Sequence, residues 1–243
     1  MYRFADLKMG FQQILSDPHW VTKILLGGFL LINPFLVALG PAYFSEVAKP
    51  CVRVLFLWIL GLNILTFWFP LGFTLEVLRH ARNGQAGPLP DWKWNLLLRY
   101  AQEGAVKFVV ALTTLLLPLG LWLGFIHLIF IRSLGLPPSF IPLFAGITVW
   151  FFLPFCGVAC CRWLDGTSLL SCALNYPENW RLFRKGLPDY LLASAFLMGI
   201  NTLTTSFFYT IPFAVIFGLC LVDAWFGAIY AETVQNLSQK SER

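Results

Sequence analysis

Residues 106–131 read VKFVVALTTLLLPLGLWLGFIHLIFI, and Lys107 is the one Asp, Glu, Lys or Arg in this run. An α-helix rises about 1.5 Å per residue, so about 20 apolar residues cross a hydrocarbon core of roughly 30 Å. The run is therefore long enough to cross a membrane as a helix. It predicts a helical membrane protein and directs attention to the apolar runs elsewhere in the chain.

The composition of the whole chain supports the same class. Hydrophobic residues make up 58% of the chain and charged residues 12%, and the mean hydropathy is +0.72. Soluble globular proteins carry about 25% charged residues, because their whole surface meets water. The net charge of +5 does not indicate a nucleic-acid partner, since the basic residues lie in short segments between apolar runs. Membrane lipids are the expected surroundings.

The arrangement of the apolar runs predicts an all-α membrane protein with about six transmembrane helices, forming a single polytopic domain over residues 1–243. The apolar stretch from 187 to 231 is too long for one span, and we expect it to turn near residues 206–212 and so supply two. The predicted spans are residues 21–40, 54–77, 106–131, 140–161, 188–207 and 211–232.

The distribution of basic residues predicts the orientation. Lys and Arg accumulate on the cytoplasmic side of membrane proteins. With six spans and a cytoplasmic amino terminus, all 17 Lys and Arg residues except Lys49, Arg53 and Arg132 fall in inner segments. We therefore expect both termini in the cytoplasm, with the protein in the inner or plasma membrane or an internal bacterial membrane.

Three inner segments are amphipathic and predict helices that lie on the cytoplasmic surface of the membrane. They are residues 2–17, 91–105 and 166–186, in which apolar residues recur at spacings of three and four. Trp20 and Trp180 each follow a polar, proline-containing turn, which makes them candidate interfacial contacts and suggests a faint internal repeat. Similar packing of the first and fifth spans would support that repeat.

Two of these stretches carry a family resemblance. Residues 16–32, SDPHWVTKILLGGFLLI, open the first span, and Leu89-Pro90-Asp91-Trp92 follows the second. The chain thereby resembles the bacterial and archaeal membrane family called domain of unknown function 4013 over roughly residues 2–125, and more loosely over residues 157–180. The resemblance implies a polytopic membrane protein without an assigned activity.

Intramembrane polar residues are the first functional candidates. Asp223 lies well inside the sixth predicted span, where an unpaired carboxylate costs about 2.5 to 3.5 kcal/mol on insertion scales. Asn201, Asn63 or Thr66 could donate a structural hydrogen bond to it. Alternatively, Asp223 could handle an ion or proton in a small carrier or channel-like protein for a lipid, ion or proton.

Candidates for cofactor chemistry are weak. His127 lies near the outer end of the third predicted span, where it could be an axial ligand of a pigment, but a histidine in a membrane is more often a structural hydrogen-bonding residue. The six cysteines lack the paired CxxC spacing of metal sites and are expected to be small apolar residues. No cofactor or metal is predicted.

The favoured hypothesis is a protein that works through contacts. The sequence contains no catalytic motif, so we expect a non-enzymatic scaffold, assembly factor or subunit of a membrane complex, with another membrane protein or a second copy as partner. Leu89, Pro90, Asp91 and Trp92 are the candidate contact residues on the inner side. The carrier, a pigment-binding subunit and an enzyme acting on lipid remain alternatives.

Overall fold

The computed structural model describes residues 4–45, 49–85, 89–135, 137–204 and 210–241, with the side chains of 4–7, 200–204 and 237–241 excluded. These residues contain helices and no strand. The α-helices are α1 (Phe4–Leu15), α2 (Trp20–Leu31), α3 (Pro34–Tyr43), α4 (Pro50–Thr66), α5 (Trp68–Arg82), α6 (Trp94–Ala111), α7 (Leu117–Ile126), α8 (Ile141–Leu164), α9 (Leu169–Leu174), α10 (Tyr176–Lys185), α11 (Leu187–Thr204) and α12 (Ile211–Ser241).

Five helical stretches in the described part of the chain are long and apolar enough to cross a membrane. They are Trp20–Tyr43, Pro50–Arg82, Trp94–Ser133, Pro138–Leu164 and Ile211–Asn236. They overlap the predicted spans one, two, three, four and six, so an integral membrane protein with helical spans is confirmed. The fifth predicted span falls on α11, whose apolar part Leu187–Gly199 is shorter.

Local sequence explains the breaks within these stretches. The Asn33 side chain accepts a hydrogen bond from the Phe35 amide and Pro34 occupies the first turn of α3, so the helix restarts there. Pro118 lacks an amide proton, and a π-helical segment, Leu112–Leu116, precedes it. Residues 94–105, predicted as part of a separate interfacial segment, belong to the same continuous helical stretch as the third span.

The core lies at one end of the bundle, where α5 is held between α6 and α12. Gly72 and Gly104 bring α5 and α6 into backbone contact: a Cβ atom at Gly72 would lie 1.9 Å from the Tyr100 carbonyl oxygen, and one at Gly104 would lie 1.9 Å from that of Trp68. Both α2 and α11 pack against α12, and the suggested internal repeat stays a prediction. We call this end, which holds Arg82, Trp94 and Leu164, the charged end.

The opposite end of the bundle is loosely covered by protein. Helices α3 and α4 contain no buried residue, and on α4 the side chains of Trp58 and Leu65 are 70% and 67% exposed. Exposed apolar surface of this extent requires lipid or another apolar partner, because soluble monomers rarely expose large contiguous apolar patches. The structure thus combines a tightly packed charged end with an open apolar end.

Candidate functional site

A buried ion pair joins three helices in the interior. Lys107 of α6 donates hydrogen bonds to the Asp223 carboxylate of α12 and, at 2.6 Å, to Thr74 Oγ1 of α5. The exposed fractions of Lys107 and Asp223 are 7% and 4%, and Thr74 is fully buried. The Thr74 hydroxyl in turn donates to the Leu71 carbonyl at 3.0 Å. Asp223 is therefore paired, as a carboxylate at this depth has to be.

The partner of Asp223 was not among those predicted. Asn63 donates instead to the Leu30 carbonyl at 3.0 Å, and Thr66 donates to the same carbonyl at 3.1 Å, so both tie α4 to the end of α2. The side chain of Asn201 lies outside the described residues. Lys107 was overlooked because it was counted as an inner-side orientation signal, although it is the one formal charge within the run that defines the third span.

Buried cysteines lie on α12 and on α8, which packs against both α6 and α12. Cys156 and Cys160 of α8 and Cys220 of α12 are buried and in the thiol form. Within the described residues, no group of three or more His, Cys, Asp or Glu side chains is arranged to hold a metal ion. Free, buried cysteines of this kind behave as small, weakly polar side chains.

A second set of charges lies between α5 and α6 toward the charged end. The Arg99 guanidinium donates to Glu76 Oε2 and to Glu103 Oε1, each at 2.9 Å. Arg79 also bonds both acids, reaching Glu103 Oε1 at 2.6 Å. On the other side of Glu76, His80 Nε2 lies 3.5 Å from Oε1. Two acids and two guanidinium groups thus form a network that links the helices and leaves Glu76 Oε1 beside His80. Glu103 Oε2 is buried without a hydrogen-bond partner among the described residues.

The Leu89–Trp92 turn is anchored inside the protein. The Lys23 ammonium of α2 contacts Asp91 Oδ1 at 2.7 Å and donates to the Leu89 carbonyl at 2.8 Å and to Asp17 Oδ2 at 2.6 Å. The Trp92 indole donates to the Lys23 carbonyl at 3.1 Å. Leu89 and Pro90 are buried. The Leu89–Trp92 turn, predicted as a contact surface, therefore holds α2, α5 and α6 together. We call this turn and its partner Lys23 the clamp.

Aromatic packing completes the clamp. The Trp92 ring stacks on Phe73 with centroids 4.5 Å apart and planes 3° apart. The Tyr100 hydroxyl donates to the Asp91 carbonyl at 3.0 Å. Hydrogen bonds from Lys23 and Lys93 hold the pKa of Asp91 below its usual value, although the Asp91 side chain is 51% exposed. Asp91 thus joins the buried clamp to the surface.

The remaining predicted residues are Trp20, Trp180 and His127. Trp20 is half-buried and packs on Phe217 with ring centroids 6.2 Å apart. Trp180 is 42% exposed and lies against Phe183. His127 begins a π-helical segment, His127–Ser133, and is exposed. The Trp20 amide donates at 3.2 Å to the carbonyl of Asp17, which pairs with Lys23, so Trp20 adjoins the clamp. Trp180 and His127 belong to other parts of the described structure.

Further polar contacts fix the ends of α8 and α10. The Arg162 guanidinium donates to Asn179 Oδ1 at 2.5 Å, and the Asn179 amide donates to the Cys172 carbonyl at 2.8 Å. The Asp165 carboxylate pairs with Arg82 and accepts a hydrogen bond from the Tyr230 hydroxyl at 2.5 Å. Helices α5, α8 and α12 are therefore joined at the charged end as well.

A cavity of about 500 Å³ opens between the clamp and α5. Its lining is mixed, with acidic, basic and apolar side chains. The lining residues are Glu76, His80, Gln85, Leu89, Pro90, Asp91, Lys93, Leu96 and Tyr100. The sequence predicts Leu89, Pro90 and Asp91 of this lining as contact residues. It does not predict that Glu76 and His80 of α5 lie beside them, because these residues come close to the turn only in the folded chain.

Comparison with protein-family models, curated proteins and solved structures gave no match to this chain. The resemblance to domain of unknown function 4013 therefore stays an expectation carried by its motifs. The function has to be argued from the site itself.

Proposed function

We propose that the protein is a non-enzymatic integral membrane protein that works through contacts, as a scaffold, an assembly factor or a subunit of a membrane complex. In this proposal α11 supplies a sixth span, both termini are cytoplasmic, and the charged end faces the cytoplasm. Helices α1 and α10 then lie at the inner interface. The exclusion of nearly all Lys and Arg from the outer segments supports this orientation.

One observation carries the proposal: the buried charges of the described chain are bonded to one another or to polar groups of the same chain. The buried charged residues are Asp17, Lys23, Glu103, Lys107, Arg162 and Asp223. Each has an intramolecular partner. Charges committed in this way hold helices in place, because removing either partner would leave an unpaired buried charge.

The open apolar end provides the surface for contacts. A groove of about 500 Å³ runs along one face of α4 around Gly61. It is lined by Val54, Leu57, Trp58, Gly61, Leu62 and Leu65, which recur at spacings of three and four. Small residues allow close approach between membrane helices, so Gly61 marks where a partner helix could pack.

The test is gentle detergent extraction followed by identification of stably bound proteins. Among the described residues outside the glycine's own helical turn, no atom lies within 4 Å of a Cβ placed at Gly61 or at Gly120, so a side chain at either position begins in open space. We expect Gly61→Ile to abolish co-purification or self-association, and the control Gly120→Ile to preserve it. Recovery of the wild-type protein as a bare monomer would contradict the proposal.

The buried pair supports a second candidate, a small carrier for a lipid, ion or proton centred on Asp223. Charges at membrane depth mark transport pathways in many transporters, and Lys107 and Asp223 are two such charges. This candidate predicts transport by reconstituted vesicles that Asp223→Asn abolishes. Retention of transport by Asp223→Asn, or no transport by the wild-type protein, would exclude it.

A further inference from the structure

The cavity beside the Leu89–Trp92 turn has walls of two kinds. Leu89, Pro90 and Leu96 provide an apolar side, whereas Glu76, His80, Gln85, Asp91 and Lys93 provide a polar side. A volume of about 500 Å³ is within the range of about 300–1,000 Å³ that is usual for small-molecule sites. The combination suits an amphiphilic ligand better than a wholly polar or wholly apolar one.

The position of the cavity suits a membrane lipid. Its walls come from the end of one candidate span, Pro50–Arg82, and the start of the next, Trp94–Ser133. Where spans begin and end is the depth of lipid headgroups, and tyrosine and tryptophan rings are enriched there. Tyr100 lines the cavity and Trp92 packs directly behind it.

The charges around the cavity balance. Two separate sets of ion pairs together contain four acids and four bases. One set is Asp17, Lys23, Asp91 and Lys93, and the other is Glu76, Arg79, Arg99 and Glu103. A neutral surrounding disfavours a ligand with net charge, since that charge would find no compensation. A zwitterion brings one charge of each sign and keeps the balance.

Acceptors and donors for such a ligand are available on the cavity walls. Glu76 Oε2 accepts hydrogen bonds from the guanidinium groups of Arg79 and Arg99. The other carboxylate oxygen, Oε1, faces His80. Asp91 is half-exposed and Lys93 is 63% exposed at its side chain. An ammonium group can bind between Glu76 and Asp91, while a phosphate can bind Lys93 and His80.

We propose that this cavity binds a zwitterionic ammonium–phosphate group, the headgroup of a phosphatidylethanolamine-type lipid. Leu89, Pro90 and Leu96 contact the glycerol and the start of the acyl chains. The same chemistry exists in a soluble glycerophosphoethanolamine, which lacks the acyl chains. The site does not depend on the contact role proposed above, because lipid binding and protein partnership are measured separately.

The test uses the full-length protein in mild detergent with defined lipids, and counts bound lipids by native mass spectrometry. Phosphatidylethanolamine and phosphatidylglycerol with identical acyl chains are titrated separately. A third arm adds glycerophosphoethanolamine as a soluble competitor. The variants are Glu76→Gln and Lys93→Gln, and the matched control is Lys185→Gln, an exposed lysine at the end of α10.

We expect phosphatidylethanolamine to bind about tenfold more tightly than phosphatidylglycerol, and each cavity variant to lose about fivefold in affinity, as expected for one charge-assisted contact at a partly exposed site. Lys185→Gln should bind like the wild type. Because Lys93 is exposed, Lys93→Gln keeps the test valid if Glu76→Gln does not fold.

Other outcomes decide against the site or identify its source. Equal binding of the two lipids, or cavity variants that bind phosphatidylethanolamine as the control does, would overturn the proposal. Binding of glycerophosphoethanolamine without binding of the lipid would support the ammonium–phosphate site and assign it to a soluble ligand. Binding of the lipid that the soluble compound does not displace would assign the site to the lipid.

Discussion

Breaking the Lys107–Asp223 pair should destabilise the protein severely, while removing both charges should not. Both side chains are more than nine-tenths buried and share one hydrogen-bonded cluster with Thr74. Replacing one member of a buried pair leaves an uncompensated charge and costs about 3–5 kcal/mol. Lys107→Met and Asp223→Leu should each show this loss.

The double variant separates electrostatics from packing. Replacing a buried pair by apolar residues of similar volume is often neutral, or stabilising by about 1–4 kcal/mol. Lys107→Met combined with Asp223→Leu should therefore recover most of the stability that either single variant loses. For a chain of this length, about 3 kcal/mol corresponds to a fall in Tm of roughly 6–12 °C.

The assay is thermal unfolding of the purified variants in lipid nanodiscs, followed by circular dichroism. Arg181→Gln is the control, because it removes a charge from the surface ion pair with Glu178, and such a pair is usually worth less than about 1 kcal/mol. Single variants as stable as this control would refute the inference that the pair holds α5, α6 and α12 together. So would a double variant whose loss equals the sum of the two single losses.

Three further predictions concern the packed end. Gly72→Ala should lower stability by more than about 3 kcal/mol, because its Cβ would lie 1.9 Å from the Tyr100 carbonyl oxygen. Gly61→Ala should be neutral or stabilising in the same thermal unfolding assay, because its Cβ meets no atom of another described segment within 4 Å. Trp92→Ala removes the stack on Phe73 and the hydrogen bond to the Lys23 carbonyl, so it should lower stability by about 3–5 kcal/mol. The Leu89–Trp92 turn should then become sensitive to protease. An unchanged digestion pattern would contradict the role of this turn as a clamp. The pKa of Asp91 is depressed in the folded protein, so its charge stabilises the fold above its unfolded pKa of about 3.9, and this contribution is lost as the pH falls through the lower folded pKa. Below about pH 4, the Tm of the wild type should therefore fall more than the Tm of Asp91→Asn. Parallel curves of Tm against pH would count against this effect.

Hydropathy and charge were sufficient to predict the class of fold. Apolar runs of span length have one solution in lipid, a hydrogen-bonded helix, and so five of the predicted spans coincide with long apolar helices. Helix breaks were visible at Asn33-Pro34, where a capping side chain and a proline coincide. These signals are local, which is why the sequence alone carries them.

The candidate sites depend on contacts that local signals do not encode. Lys107 and Asp223 are separated by 116 positions in the chain, and nothing in either segment specifies that α6 and α12 approach each other. The tight approach of α5 to α6 explains how Glu76, Arg79, Arg99 and Glu103 converge. Leu187-Pro188-Asp189-Tyr190 at the start of α11 repeats the motif Leu89-Pro90-Asp91-Trp92. This similarity is a further local signal in favour of the predicted internal repeat.

The most direct test of a contact role is the mass of the particle released from native membrane vesicles without detergent. The chain alone has a mass of 27.6 kDa. If the protein works through contacts, its particle should exceed that mass by a partner protein or a second copy after bound lipid is subtracted, and Gly61→Ile should reduce it to a single chain. A wild-type particle containing one chain and lipid alone would contradict a contact role.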